Sequence, residues 1–266
     1  VAADEVAGVG VGAAGLTDWR TGVVVLASNL GWRNVPLKER LEQELDGLRV
    51  EVDKDTNLAA LAEARLGAGR EFEHFLYVTA GTGIGGGLIL NGALYRGATG
   101  GAGDVGHIVV DPEGPPCGCG DHGCVEVFSS GAGMVDRARE ALGKSGEVVE
   151  PSVLDPERLT TEDIFKAARR GDAVATRIVE RAGAALGLAL ADYVNINNPE
   201  AIVLGGGVTR AGETYLGPVE RELKRRALTA LGEIVRLVPP GLGDEVGVTG
   251  AALQLRESDS KDKGGV

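Results

Sequence analysis

Aromatic residues are scarce in this 266-residue chain, at 4%, and methionine occurs only once. Hydrophobic residues still make up 43% of the sequence, so the core must be built mainly from Val, Leu and Ala. A chain of this length can bury either one large core or two smaller ones. The sequence also lacks an apolar run near the roughly 20 residues that a membrane-spanning helix needs, and we therefore expect no membrane partner.

Positive charge is also in deficit, because 27 Lys and Arg residues face 39 Asp and Glu residues and the formal net charge is −12. Direct binding to nucleic acid depends on basic patches that contact phosphates. The composition therefore disfavours DNA contact by this region of the protein.

Cysteine is equally rare, and its placement is the most informative feature of the chain. The three cysteines, Cys117, Cys119 and Cys124, lie within ten residues, and His107 precedes them. One His and three Cys form the complete tetrahedral ligand set of a structural zinc site. Because no coordination position stays open, we expect this zinc to shape a loop rather than to activate water.

Two alternatives to this ligand set stay open. An odd number of cysteines argues against a simple disulfide framework, but one disulfide and one free thiol would also account for the three cysteines. His122 lies inside the cysteine loop and is an alternative fourth ligand. We favour His107, because a loop residue that is followed by glycine, as His122 is, is more typical of a turn. Cysteines that bind metal are typical of reducing compartments, so we expect a cytoplasmic protein.

Two of the glycine clusters in the sequence each follow an apolar run that predicts a strand. Backbone N–H groups approach an anion closely only where Cβ atoms are absent. The cluster at residues 81–87 is thus a candidate phosphate loop, and the one at residues 205–207 is able to pass close to a flat ligand such as adenine. A tight structural turn is the alternative at both points.

Two acidic residues stand at chemically suggestive positions. Asp55 follows a short alternating strand and precedes a helix, where a carboxylate either caps the helix or acts as a general base toward a sugar hydroxyl. Glu126 follows the last cysteine by two residues. It is either a ligand for a carbohydrate hydroxyl or a solvated surface acid.

Strand-like runs alternate with amphipathic helical patterns along the chain, which indicates an α/β protein. Asn91 and Gly92 separate two short apolar runs and predict a hairpin. Pro218 is predicted to begin a helix, because proline is favoured at the first helical position.

Taken together, these motifs resemble the ROK family of repressors and sugar kinases. The resemblance is carried by the Cys-Gly-Cys-Gly-Asp-His-Gly-Cys-Val-Glu segment of residues 117–126, by the glycine loops, by Asn29-Leu-Gly-Trp and by the segment that begins at Asp55. It implies an actin-like ATPase or hexokinase-type α/β fold of two domains with a structural zinc loop. It also implies that the kinases of the family transfer the γ-phosphoryl group of ATP, with Mg²⁺, to a hexose hydroxyl.

The resemblance assigns a role to each matching residue. Asp55 would be the catalytic base, and His107 would both contact the sugar and bind zinc. The implied substrate-binding residues are Asn29, Lys54, Asp55, Asp104, His107 and Glu126. The implied ATP-binding residues are Gly81, Thr82, Gly83, Gly85, Gly205, Gly206 and Gly207. The implied zinc ligands are His107, Cys117, Cys119 and Cys124.

The resemblance also predicts the domain boundaries and how much of the family's fold the chain contains. We expect residues 1–73 to be the remainder of the N-terminal domain and residues 74–246 to form a larger C-terminal domain. Residues 247–256 would form a closing helix, and residues 257–266 a disordered tail. The family's first phosphate segment, Asp-x-Gly-Gly-Thr, is not found in the sequence, so we expect the chain to lack its N-terminal strands.

Two positions depart from the family pattern: Lys54 replaces the usual Asn before the catalytic Asp, and Asp104 replaces a Glu. Lysine has no acceptor and adds a charge, which suggests altered sugar specificity or a sensing role. We therefore favour the effector-binding region of a sugar-responsive transcriptional regulator, which would contact DNA only through an upstream helix-turn-helix. The alternative is a hexose kinase of the glucokinase or N-acylhexosamine kinase type. A homodimer is expected in either case.

Overall fold

The computed structural model describes residues 6–143 and 152–263, with side chains as far as residue 257. The strands in this part of the chain are β1 (Val9–Ala13), β2 (Leu16–Asp18), β3 (Val23–Ala27), β4 (Trp32–Pro36), β5 (Val50–Lys54), β6 (Phe75–Ala80), β7 (Ile84–Leu90), β8 (Ala93–Tyr95), β9 (Ala201–Gly205) and β10 (Arg236–Val238). The α-helices are α1 (Leu37–Glu44), α2 (Asp55–Leu66), α3 (Val125–Ser129), α4 (Gly131–Leu142), α5 (Thr161–Arg169), α6 (Ala173–Asn197), α7 (Glu213–Arg226), α8 (Thr229–Gly232) and α9 (Val246–Lys263).

The chain divides into two compact units that are discontinuous in sequence. The first unit contains the residues up to Tyr77, the segment Gly86–Gly103 and the residues from Val238 onward. The second unit contains Val78–Gly85 and Asp104–Leu237. The predicted domain boundaries follow the order of the chain instead, and they stay a prediction.

In the first unit, strand pairing brings the start of helix α2 to the end of a parallel strand pair. β5 pairs parallel with β1, with Asp53 opposite Gly12, and α2 begins at the residue after β5. Strands β2, β3 and β4 form a separate antiparallel sheet. Asp55 therefore lies at the carboxyl end of a parallel pair, the position at which α/β proteins usually bind ligands.

A buried carboxylate connects α2 to the segment that precedes α9 in the first unit. The side chain of Glu63 is fully buried. One of its oxygens accepts hydrogen bonds from the backbone N–H groups of Ala68 and Gly241, at 2.7 and 2.9 Å, and the other accepts from Gly241 and Leu242, both at 3.1 Å. Both oxygens are thus occupied by N–H donors.

We expect Glu63→Gln to lower the free energy of unfolding by about 2–3 kcal/mol. Since N–H groups face both oxygens, the glutamine NH₂ must meet a donor in either orientation. Urea denaturation measures the effect as a lower midpoint at unchanged slope. Glu39→Gln on the exposed face of α1 is the matched control, expected to change stability by less than about 0.5 kcal/mol. Equal midpoints for the two variants would contradict the role given to Glu63.

Five strands form a sheet in the order β10-β9-β6-β7-β8. The predicted hairpin is confirmed, because β7 and β8 pair antiparallel with Leu90 opposite Ala93. Asn91 and Gly92 between them have φ values of 51° and 68°, which two-residue hairpin turns require.

Helices α3 to α8 form the helical part of the second unit. α6 is 25 residues long and buries more than half of them, which agrees with its broad apolar pattern. The Ser129 hydroxyl donates to the carbonyl of Ala182 on α6, and the Tyr215 hydroxyl donates to the carbonyl of Ser129. The Tyr215 ring also meets that of Phe165 edge-on, at 6.1 Å between centroids. These contacts fix α5 and α7 against α6.

The prediction that Pro218 begins a helix is wrong. α7 begins at Glu213, and Pro218 lies inside it. The preceding glycine turn starts the helix, because the carbonyl of Gly212 accepts from the N–H groups of Tyr215 and Leu216. The proline ring packs where Gly183 of α6 leaves room for it, so tertiary packing outweighs the missing N–H group.

Helix α9 extends beyond the predicted closing helix at residues 247–256. It runs from Val246 to Lys263 and so includes most of the segment that we expected to be a disordered tail. This segment contains no Gly or Pro before Gly264, so no residue in it interrupts a helix. Residues 264–266 lie outside the described part of the chain.

Among the described residues, no helix is both long and apolar enough to span a bilayer.

Candidate functional site

The second unit brings the four predicted zinc ligands together. The ligand atoms of His107, Cys117, Cys119 and Cys124 all lie within 4.8 Å of one another. The Sγ atoms of Cys119 and Cys124 are 3.7 Å apart, and Sγ of Cys117 is 3.7 Å from Nδ1 of His107. Zn–S bonds of about 2.3 Å place two ligands of a tetrahedron about 3.8 Å apart. The donor set and its spacing therefore fit zinc.

Both alternatives to this ligand set are excluded by the geometry. A disulfide requires an S–S distance of about 2.05 Å, and all three cysteines are free. His122 is not a member of the group, which His107 completes. His122 instead pairs with Pro116 in an isolated β-bridge within the cysteine loop.

Backbone hydrogen bonds shape the cysteine loop independently of a metal. The N–H of Cys117 donates to the carbonyl of Asp121 at 2.7 Å, and the N–H of Gly123 donates to the carbonyl of Pro115 at 2.7 Å. Val109 and Cys124 form a second isolated bridge that closes the base of the loop. The loop thus has a hairpin-like backbone that presents its sulfurs to one point.

The protonation of the thiols reflects their surroundings. Burial raises the pKa of Cys117 and, more strongly, that of Cys124. Burial acts in the same direction on Cys119, but the backbone hydrogen bond at Asp121 and the thiols of Cys117 and Cys124 bring the pKa of Cys119 below its ordinary value. A bound cation reverses this situation, because a coordinating thiol is deprotonated outright.

His107 and Glu126 are both attached to strand β7. His107 ends the 3-10 turn Val105–His107, and a Cβ atom on Gly106 would overlap the carbonyl oxygen of Ile84. Glu126 lies in the first turn of α3, and its Oε2 accepts a hydrogen bond from the N–H of Ile84 at 2.9 Å. Glu126 is half-buried and is not the solvated surface acid of the alternative interpretation. Asp104 immediately precedes the turn.

The two glycine clusters meet at the ends of β6 and β9. Gly206 has a φ of 96°, and a Cβ atom there would overlap the carbonyl of Ala80. Only glycine permits this approach. Beyond it, the Gly81 carbonyl accepts from the N–H of Gly131, the first residue of α4, at 2.8 Å. The ends of both strands therefore lie against the start of α4.

A cavity of about 980 Å³ opens at this place, entirely within the second unit. Gly81, Thr82 and Gly207 line it, and they are three of the seven residues predicted to bind ATP. The other four, Gly83, Gly85, Gly205 and Gly206, are not among the lining residues. Gly83 instead lies against the Glu126 carboxylate, and Gly205 is buried in β9.

The remaining cavity walls come from helices that the sequence had not indicated as functional. α4 contributes Val135 and Arg139, and α5 contributes Phe165 and Arg169. Arg210, in the turn after β9, also lines the cavity. The one available signal was the Thr160-x-x-Asp163 pattern, which forms a complete capping box at the start of α5 and predicts a helix start rather than a ligand.

The first unit holds the other predicted residues. Asp55 is the exposed first residue of α2, and its carboxylate accepts from the N–H of Thr56 at 2.7 Å. Lys54 takes the capping position with no side-chain cap, so the prediction of Asp55 as the N-cap is wrong. The Lys54 side chain is 3% exposed. Asn29 is exposed in the 3-10 turn Ser28–Leu30 before β4.

A buried ion pair close to Asp55 was not predicted. Asp53 is fully buried, and its carboxylate lies 2.6 Å from Nε of Arg96. The two residues are 43 positions apart in the chain, so no local pattern connects them.

These features define a class: an α/β protein with a Cys₃His cluster and a glycine-lined cavity in the same unit. The ROK family model matches residues 1–258, and the chain belongs to the ROK family. It is 40% identical over 265 residues to a glucokinase from Halalkalibacterium halodurans, a match that covers 98% of this chain and 79% of that protein.

Two solved structures show the same fold. A ROK family glucokinase from Streptomyces griseus, in complex with glucose and AMPPNP, is 36% identical with a TM-score of 0.81, over 95% of this chain and 82% of that one. A ROK family transcriptional regulator, homologous to the E. coli MLC protein, is 30% identical with a TM-score of 0.78, over 91% of this chain and 60% of that one. The predicted actin-like, hexokinase-type fold is confirmed.

Proposed function

We propose that this chain forms most of an ATP-dependent sugar kinase that phosphorylates a hexose hydroxyl. The observation that carries the proposal is the cavity of about 980 Å³ beside Gly81 and Gly207, because a cleft of this size accommodates a cofactor and is lined by three of the residues predicted to bind ATP. The sequence identity supports it too, because the chain is 40% identical to the Halalkalibacterium glucokinase and 30% identical to the MLC homologue.

The cavity residues suggest how a nucleotide is held. Phe165, Val135 and Val208 offer an apolar wall for a flat base, and Arg139, Arg169 and Arg210 supply positive charge around it. The N–H groups at Gly81 and Thr82 would contact phosphate oxygens, as backbone donors in glycine loops commonly do. Mg²⁺ that accompanies ATP would neutralise the charge that develops on the transferred group.

The roles of the predicted sugar-contact residues are carried over from the family resemblance. In the first unit, Asp55 would take the proton of the attacking hydroxyl as general base, and Asn29 and Lys54 would contact the sugar. In the second unit, Asp104, His107 and Glu126 would bind sugar hydroxyls. Zinc bound by His107 and the three cysteines would hold the cysteine loop in shape, and no step of the reaction passes through it.

A sugar-responsive regulator is the second candidate, which the sequence had favoured. The buried Lys54 supports it, because an ammonium group next to the base position is unfavourable for accepting a proton there. The match to the MLC homologue supports it as well. DNA contact would then belong to a helix-turn-helix outside this chain. For either function we propose a cytoplasmic homodimer, as the resemblance implies.

The test is ADP release by the intact protein in the presence of glucose, N-acetylglucosamine or N-acetylmannosamine. We expect one sugar to produce ADP at ordinary enzyme rates. Gly207→Leu should raise the KM for ATP at least tenfold while the Kd for the sugar stays unchanged, because a side chain at Gly207 points into open cavity space.

Gly247→Leu is the matched control, since a side chain at Gly247 also meets nothing within 4 Å but lies in the other unit. It should leave both constants unchanged. Sugar-induced thermal stabilisation without any ADP release would overturn the kinase proposal and favour the regulator.

A further inference from the structure

The buried ion pair of Asp53 and Arg96 lies two residues before the proposed base. The Asp53 side chain is fully buried and that of Arg96 is 16% exposed. A buried carboxylate is tolerated only when it is paired and hydrogen-bonded, and Oδ2 of Asp53 meets this need with the guanidinium of Arg96 at 2.6 Å.

The second oxygen of Asp53 holds the residues on both sides of Asp55. Oδ1 accepts a hydrogen bond from the backbone N–H of Lys54 at 2.7 Å and from the side-chain amide of Asn57 at 2.9 Å. The same carboxylate therefore fixes the residue before Asp55 and the first turn of the helix after it.

The loop that carries Arg96 is bound to this assembly at several points. The Asn57 amide also donates to the carbonyl of Gly100 at 3.2 Å. The Arg96 guanidinium stacks on the Trp19 ring at 4.6 Å, and Arg20 approaches the same ring at 5.0 Å. Arg20 in turn donates to the carbonyl of Ala98 at 3.0 Å. All of these residues belong to the first unit.

We infer that Arg96 and Asp53 are positioning residues that set the location of the Asp55 carboxylate; this rests on the proposed kinase function. A general base must reach the proton it accepts to within about 3 Å, and a misplacement of about 1 Å costs roughly 10²-fold in rate. Arginine suits the role because its flat guanidinium both pairs with a carboxylate and stacks on an aromatic ring. Lysine does neither in the same geometry.

The test compares Arg96→Met, Arg96→Lys and the double variant Asp53→Ala/Arg96→Met in the intact protein. At a temperature where circular dichroism shows each variant folded, we expect Arg96→Met to lower kcat about 10²-fold with the sugar KM changed less than threefold. Arg96→Lys should restore little of the lost kcat. The double variant removes the unpaired buried charge, so it should recover thermal stability but not kcat.

Arg65→Met is the matched control, because it breaks the pair that Arg65 forms with Glu257 near the far end of α2. It should leave kcat unchanged. Recovery of kcat together with stability in the double variant would show that the ion pair is merely structural and would overturn the inference.

Amide hydrogen exchange separates a failure of this inference from a failure of the proposed function. Arg96→Met should accelerate exchange at residues 54–57 and 98–102, whether or not the protein is a kinase. If the wild-type protein releases no ADP, the kinase proposal fails, while faster exchange at residues 54–57 in Arg96→Met still supports the positioning role. Unchanged exchange would overturn that role even in an active enzyme.

Discussion

Replacing Cys119 with serine is expected to lower bound zinc to well below one ion per chain and to weaken sugar binding at least tenfold. The wild-type chain should hold about one zinc ion, because it supplies one closed set of four ligands. Serine gives no thiolate near neutral pH, so three ligands remain and the site opens to water. Metal analysis of the purified protein measures the first effect, and calorimetric titration with sugar measures the second.

Sugar affinity should fall with the metal because the sugar-binding candidates depend on the same loop. His107 is itself a ligand, and Glu126 follows Cys124 by two residues at the start of α3. Once the sulfurs are free to separate, neither side chain keeps a fixed position. His122→Ala is the control: it changes an exposed imidazole of the same loop that is not part of the cluster, and it should retain both zinc and sugar. Full zinc content in Cys119→Ser would refute the ligand set.

The metal cluster was predictable from sequence because its residues are close together in the chain. All three cysteines lie within one short loop, and tetrahedral coordination limits which residues are able to join them. The glycine loops were predictable for a similar reason, since glycine after a strand has few physical explanations. Local chemistry was sufficient to locate the cluster and the turns, but not to tell which glycines line the cavity.

The parts that the sequence did not reveal depend on contacts between distant segments. Glu63 and Gly241 are 178 positions apart, yet the hydrogen bond between them fixes the end of α2. The cavity walls from α4 and α5 look like ordinary amphipathic helices until the fold places them around Gly81. Pro218 was predicted wrongly for a different reason. Proline is favoured at the first position of a helix, but packing against Gly183 outweighs this preference.

Asp55→Asn is expected to lower kcat about 10³-fold, within the 10²–10⁴-fold range of a general base, with the Kd for sugar changed less than threefold. Asparagine keeps an oxygen that accepts the N–H of Thr56, as the carboxylate does now, so the start of α2 should keep its structure. What asparagine loses is the ability to accept a proton. Coupled measurement of ADP release and calorimetric titration separate the two quantities.

Asp46→Asn is the matched control for this substitution. Asp46 is an exposed residue of the same unit with a φ of 54°, a conformation that asparagine adopts readily, so neither kcat nor stability should fall. Turnover in Asp55→Asn within threefold of the wild type would exclude Asp55 as the base. Asp55 would then have only a binding role, because the loss of a carboxylate that merely contacts sugar must appear in Kd rather than in kcat.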